Sequence, residues 1–342
     1  MWLFLWDSEP SKIFVGDTEI SKVFLWDKQV RPATPVGLPY LCFTANTAWS
    51  TVQLTKTWSP TVVTLETSTD WTNWTTYTIW DTITLSNIGD KVYWRNTSET
   101  DTGFSTGSSN YYQFVMTWSI SWSGDINYLL NKNSTTTLTT TSCYKYLFYQ
   151  CTSLTTTPDL PATTLTNSCY ASMFRWCSNL TTATPSLPAT TLTTSCYANM
   201  FQLCGSLTAT PRLPATTMAN YCYSGMFRQC TSLTTVPSLA ITTLGSNCCV
   251  NMFYWCTGLT TLPSLPATTM ANSCYYGMFQ WCSNIKLSTT QTGDYQTEYR
   301  IPASWTWTSA SSALTNMFKT TWWTFTWTPT INTTYYTSNT IV

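Results

Sequence analysis

The sequence predicts a mainly β chain with short helices, in which N-terminal β-arcs and an antiparallel β-sandwich lead into an α/β solenoid. Three observations point there. Cysteines recur in pairs at near-constant spacing through residues 143–282, and apolar and polar residues alternate at strand spacing through residues 34–122. Thr is the most frequent residue, and it suits strands and turns better than helices.

Taken from the N-terminus, residues 1–33 hold a ten-residue triplication: Leu3-Phe-Leu-Trp-Asp7, Ile13-Phe-Val-Gly-Asp17 and Val23-Phe-Leu-Trp-Asp27. Its alternation and turn-forming Asp predict short β-arcs. No basic residue precedes the six apolar residues at the start, so no secretory signal is expected, and no apolar run is long enough to span a membrane. Residues 34–122 contain runs such as Thr51-Val-Gln-Leu-Thr55 and Lys91-Val-Tyr-Trp94 between turn signals, the rhythm of an antiparallel, Ig-like sandwich. Such a domain serves as a spacer or as a glycan-binding module. Residues 123–142, with Ile126-Asn-Tyr-Leu-Leu130, are expected to cap the solenoid.

The solenoid itself spans residues 143–285. Cysteines pair as Cys143/Cys151, Cys169/Cys177, Cys196/Cys204, Cys222/Cys230, Cys248/Cys256 and Cys274/Cys282, and one pair follows the next at a near-constant step. Each unit reads approximately Leu-Thr-Thr-x-Pro-x-Leu-Pro-Ala-Thr-Thr-Leu and then Cys-Tyr-x-x-Met-Phe-x-x-Cys. Cys169, Tyr170, Met173, Phe174 and Cys177 fall within an arc of roughly 140° at helical pitch, which predicts a short helix. The Pro-containing part cannot continue it and reads as a strand and an arc. The fifth unit departs, with Ala240-Ile241 for Pro-Ala and Cys248-Cys249 for Cys-Tyr, and a local irregularity is expected there. Residues 286–342 lose the Cys pairs, keep Met317-Phe318, and are expected to form a C-terminal cap.

The motif Met173-Phe-Arg-Trp-Cys-Ser-Asn-Leu-Thr181 and its five recurrences resemble the BspA-type leucine-rich repeats of bacterial surface proteins and of phages infecting gut bacteria. The triplication resembles N-terminal segments of phage structural proteins. The resemblance implies a virion protein of tail or fibre type that displays a leucine-rich-repeat solenoid for host recognition. It further implies a host-surface protein or glycan as partner and attachment to other virion proteins through the N-terminus. A bacterial cell-surface adhesin on the same repeats is the alternative.

Composition narrows the chemistry. Charged residues are 9% of the chain and cancel, so there is no basic face for nucleic acid. His is absent, which removes His-based triads and His metal sites. No phosphate loop or recurring carboxylate pair stands out, so no enzyme, cofactor or metal is expected. On a helix, cysteines eight residues apart lie roughly 12 Å apart, too far for a disulfide. Bridges between neighbouring units stay open, beside a ladder of buried thiols. The candidate recognition surface is the variable pair between Phe and Cys: Tyr149-Gln150, Arg175-Trp176, Gln202-Leu203, Arg228-Gln229, Tyr254-Trp255 and Gln280-Trp281. The reading to set beside it is plain solvated positions. A remote alternative is an ice-binding Thr array, and a homo-oligomer is compatible with any of these.

Trp outnumbers Gly, 19 to 12. Trp6 and Trp26 align with Gly16 in the triplication, Trp176, Trp255 and Trp281 stand where the resembled repeats have Gly, and Thr321–Trp327 reads as a Gly-rich turn. Trp74 and Trp94 fit strand contexts. The pattern predicts that many of these residues are UGA codons, either decoded as glycine in the host or marking recent drift under recoding. Genuine tryptophan serving as exposed aromatic contacts is the other reading.

Overall fold

The computed structural model describes residues 40–58, 63–301, 310–319 and 328–342, together with the backbone of four short strands between Ile13 and Val30. The chain is mainly β. Among the described residues the only helix is one 3-10 turn, Ile126–Leu129, capped by Asp125, whose side chain accepts from the Asn127 N–H.

The second and third copies of the triplication each open an antiparallel hairpin: β1 (Ile13–Val15) with β2 (Thr18–Ile20), and β3 (Val23–Leu25) with β4 (Lys28–Val30). Its first copy, with Trp6, lies outside the described residues, as do Trp26 and Thr321–Trp327.

Two antiparallel sheets follow. One has the order β12 (Ile120–Ser123), β5 (Leu41–Ala45), β10 (Lys91–Asn96), β7 (Leu65–Ser68), β8 (Thr75–Thr76). The other has β11 (Tyr112–Thr117), β6 (Ser50–Lys56), β9 (Thr82–Leu85). Strand alternation decides what is inside: β6 buries Ser50, Val52 and Leu54, and β11 buries Tyr112, Phe114 and Met116. Phe114 meets Phe43 and Trp94 of the other sheet edge-on, both at 5.1 Å.

From Ser142 the chain builds turn segments that stack on one another. Tyr144, Tyr146, Phe148 and Gln150 donate their N–H groups to the carbonyls of Cys169, Ala171, Met173 and Arg175 of the next unit, at 2.8–3.3 Å. The intervening Lys145, Leu147, Tyr149 and Cys151 donate to the residue three before them. The alternation recurs as far as Trp281, whose N–H reaches the Lys319 carbonyl.

This corrects the expected helix, and with it the α/β character of the repeats. An α-helix sends each N–H to the carbonyl four residues back and holds φ negative throughout. Here φ turns positive at every fourth residue: Ser168, Ser172 and Trp176 in the second unit, and the equivalent positions of the others. Half of the N–H groups leave the segment altogether. The offsets 0, 1, 4, 5 and 8 fit a period of four as well as they fit a helical stripe.

The expected inward residues are nevertheless buried. Phe148, Phe174, Phe201, Phe227, Phe253, Phe279 and Phe318 stack ring on ring, with centroids 5.5–5.6 Å apart and planes within 14°. Beside them Tyr144, Tyr170, Tyr197 and Tyr223 form a second file. Cys249 interrupts that file in the fifth unit, while the Phe file runs through. Each arc adds apolar residues to the same core, such as Leu180, Leu187, Ala189 and Leu192. At the N-terminal end Phe114 stacks on Phe148 and its N–H reaches the Leu147 carbonyl, so the sheets and the stack share one core.

All 14 cysteines are buried and unbridged. The second thiol of each later pair donates to a Phe carbonyl of the preceding unit: Cys177, Cys204, Cys230, Cys256 and Cys282 to Phe148, Phe174, Phe201, Phe227 and Phe253, at 2.9–3.1 Å. The position calls for a small apolar side chain with one weak donor, which describes a thiol. Burial pushes the thiols of Cys177, Cys204, Cys230 and Cys282 up, and raises those of Cys196, Cys256 and Cys274 to about 12. A thiol-specific disulfide reagent at neutral pH is expected to spare the native chain and to label every cysteine once urea unfolds it. Rapid labelling of native protein would contradict a closed ladder.

At the other end, residues 310–319 repeat the turn segment without cysteines. Tyr275, Gly277 and Phe279 donate to the carbonyls of Ala313, Thr315 and Met317. A small sheet of β14 (Leu287–Ser288), β16 (Thr333–Thr337) and β15 (Thr297–Ile301) adds Leu287, Tyr299, Ile301 and Tyr335 to the same core. The final strand β17 (Thr340–Ile341) pairs in parallel with β13 (Thr261–Leu262).

Candidate functional site

The variable pairs form one edge of the stack, because each follows the stacked Phe and precedes the buried Cys of its unit. Their main chain is committed to stacking: the N–H groups of Gln150, Trp176, Leu203, Gln229 and Trp255 bond the carbonyls of Arg175, Gln202, Arg228, Tyr254 and Gln280. What faces outward is therefore side chain.

The two members of each pair differ. The second member (Gln150, Trp176, Leu203, Gln229, Trp255, Trp281) is left-handed in every unit, with φ between +59° and +69°. Of these, Gln150, Trp176, Trp255 and Trp281 are exposed. The first members Tyr149, Arg175, Arg228, Tyr254 and Gln280 are half-buried, whereas Gln202 is only 6% exposed and adds nothing to the outer edge.

Neighbouring units bring cations over aromatic rings. The Arg228 guanidinium lies 4.6 Å from the Tyr254 ring centre and that of Arg175 lies 6.0 Å from Tyr149, while within its own unit Arg175 lies 5.4 Å from the adjacent Trp176. The Nε atoms of both arginines are buried and have no hydrogen-bond partner. Trp255 and Trp281 stack at 5.5 Å. The result is a row of flat faces able to stack on a sugar ring or a planar peptide group. The sequence marks these positions, but the pairing is between neighbouring units, and only their stacking reveals it.

Thr forms a second regular feature. Thr163-Thr164, Thr190-Thr191 and Thr242-Thr243 are exposed, and parallel bridges join Thr191 to Thr217 and Thr217 to Thr243. The Thr242 hydroxyl donates to the Thr216 carbonyl, and those of Thr181, Thr208 and Thr260 likewise reach the preceding unit.

A cleft of about 360 Å³ beside the sheets is lined by Tyr40, Arg95, Asn96, Thr97 and Lys132. Arg95 lies 4.0 Å over the Trp74 ring and bonds Glu66 through two nitrogens, and Lys132 pairs with Glu99. Both cations are thus already matched by carboxylates. Nothing in the sequence marks this group, because its members are scattered along the chain from Tyr40 to Lys132.

Among the described residues no cluster of His, Cys, Asp or Glu could hold a metal ion, and no helix is long and apolar enough to cross a membrane. Comparison with protein-family models, with curated proteins and with solved structures finds no match.

Proposed function

We propose that the stacked units are a leucine-rich-repeat solenoid carried on an Ig-like β domain. The protein is a non-enzymatic virion component of tail or fibre type that presents the edge of this solenoid to a host-surface protein or glycan. The N-terminal hairpins attach it to other virion proteins. The observation that carries the reading is the row of Arg and Tyr side chains on a rigid stacked edge, Arg175 with Tyr149 and Arg228 with Tyr254. A stacked core tolerates change at such outward positions without unfolding, and planar aromatic and guanidinium faces are common anchors of interfaces.

The test is binding of the full chain to host cells. Changing Tyr149, Arg175, Arg228 and Tyr254 together to Ala is expected to weaken binding at least about tenfold, which corresponds to ~1.4 kcal/mol. The circular dichroism of the variant should be unchanged. Undiminished binding by a folded variant would remove this edge from the proposal.

A second reading, ice binding, draws on the exposed Thr pairs. Several hydroxyls of these files are directed at the neighbouring unit's carbonyls, as at Thr242, which reduces what they can offer to a surface. Thermal hysteresis in a solution of the purified chain would raise this reading above the first.

A further inference from the structure

Eight tryptophans occupy left-handed backbone, the region that glycine adopts without strain. Of the eleven tryptophans among the described residues, Trp49, Trp58, Trp71, Trp80, Trp118, Trp176, Trp255 and Trp281 have φ between +44° and +82°. That region is uncommon for any residue with a Cβ and a genuine outlier for a bulky one. The other aromatic residues behave ordinarily: two of twenty tyrosines, Tyr146 and Tyr221, are left-handed, and no described phenylalanine is. Even glycine is left-handed at only half of its ten described positions. Among the described residues tryptophan is left-handed more often than glycine.

One pair of turns makes the comparison direct. Asn87-Ile88-Gly89-Asp90 closes with a hydrogen bond from the Asp90 N–H to the Asn87 carbonyl, and Gly89 has φ +86°. Thr78-Ile79-Trp80-Asp81 closes in the same way, from Asp81 N–H to Thr78 carbonyl, and Trp80 has φ +82°. Positive φ near 80° at the third residue is what a type II turn demands, and glycine is the residue that meets it without strain. Trp49, Trp58, Trp71 and Trp118 stand likewise at strand ends and connections, two of them in Asp70-Trp71 and Trp118-Ser119, where glycine gives common turn dipeptides.

Exposure divides the tryptophans along the same line. All eight left-handed ones are exposed, between 38% and 86%. The other three have ordinary tryptophan surroundings. Trp94 is fully buried against Phe43, Tyr77 and Phe114. Trp122 packs on Phe43 and Phe148 and donates its indole N–H to the Thr156 carbonyl. Trp74 lies under Arg95 and beside Tyr40.

We infer that these eight positions are encoded by UGA and are filled by glycine in the cell that makes the protein, whereas Trp74, Trp94 and Trp122 are encoded by UGG and are tryptophan. The recognition edge is then carried by Tyr149, Gln150, Arg175, Arg228, Tyr254 and Gln280, with glycine as the second member of the pair in three of the six units. This does not rest on the proposed function, because the four residues tested there are untouched by it.

Two measurements decide the matter. The gene is expected to read UGA at codons 49, 58, 71, 80, 118, 176, 255 and 281 and UGG at codons 74, 94 and 122. Peptide mass spectrometry of protein isolated from its natural source is expected to find glycine at the eight and tryptophan at the three. UGG at the eight codons, or tryptophan in their peptides, overturns the assignment. A stability readout on the chain made with tryptophan throughout is independent of the source. Trp80→Gly is expected to raise the melting temperature, and Trp94→Gly, which empties a core site, to lower it. A lower melting temperature for Trp80→Gly would count against glycine being the fitted residue there.

Discussion

Alkaline solution is expected to unfold the stack cooperatively, with loss of ordered structure beginning above about pH 9. In the unfolded chain a cysteine thiol ionises near its ordinary value of 9.0, whereas burial raises Cys196, Cys256 and Cys274 to about 12 and also pushes Cys169, Cys177 and Cys230 well above 9.0. Between those values the unfolded state has released protons that the folded state still holds. Stability is therefore fully present below pH 9 and falls as pH rises toward 12, by about 1.4 kcal/mol per pH unit for each such thiol. Three thiols alone would remove about 8 kcal/mol by pH 11, comparable with the whole stability of an ordinary domain. The buried tyrosines Tyr170, Tyr197, Tyr223 and Tyr275, also pushed up by burial, act in the same direction from their ordinary value of 10.0. A pH titration followed by circular dichroism and by tyrosinate absorbance checks this. The part of the tyrosinate signal that belongs to the four buried rings should rise together with the loss of ordered structure. Complete tyrosinate absorbance from a chain still folded by circular dichroism would show that the file is open to water.

Replacing Phe227 by Ala is expected to cost ~3–5 kcal/mol, the range for emptying a well-packed aromatic site. Its ring sits between those of Phe201 and Phe253, 5.6 Å from each. Its carbonyl accepts the Cys256 thiol, and its N–H bonds the Met252 carbonyl of the next unit. A cavity there opens two interfaces at once, and stacked repeats draw their stability from such nearest-neighbour contacts. The control is Thr242→Ala on the exposed face, expected to change stability by about 1 kcal/mol or less. Urea denaturation of the two variants separates them. A loss below about 1 kcal/mol for Phe227→Ala would mean that the file is loosely packed and collapses around the missing ring.

Some of this molecule is legible in residue order because it depends on composition and period alone. The regular recurrence of Cys, Tyr, Met, Phe and Cys marks the inward positions, and Phe174, Phe201, Phe227, Phe253 and Phe279 all occupy them. Alternation likewise places Val52, Leu54, Phe114 and Met116 inside. The edge pairs, Arg175-Trp176 and its counterparts, are found by the same counting, since they fall between two buried landmarks.

The conformation of the turn segments is decided elsewhere. A short run with apolar residues at offsets 0, 1, 4, 5 and 8 fits a helix and a chain of four-residue turns equally well. The choice depends on where the N–H groups go, and half of them go to the next unit along the stack. Ser, Asn and Gly at left-handed positions such as Ser168, Asn199 and Gly225 are a local hint toward turns, since these residues favour turns and Asn and Gly tolerate positive φ. The contact of Arg228 with Tyr254 is likewise invisible until two units lie in register. The handedness of Trp80 belongs to the same class, because φ is imposed by the closure of its turn rather than by its own side chain.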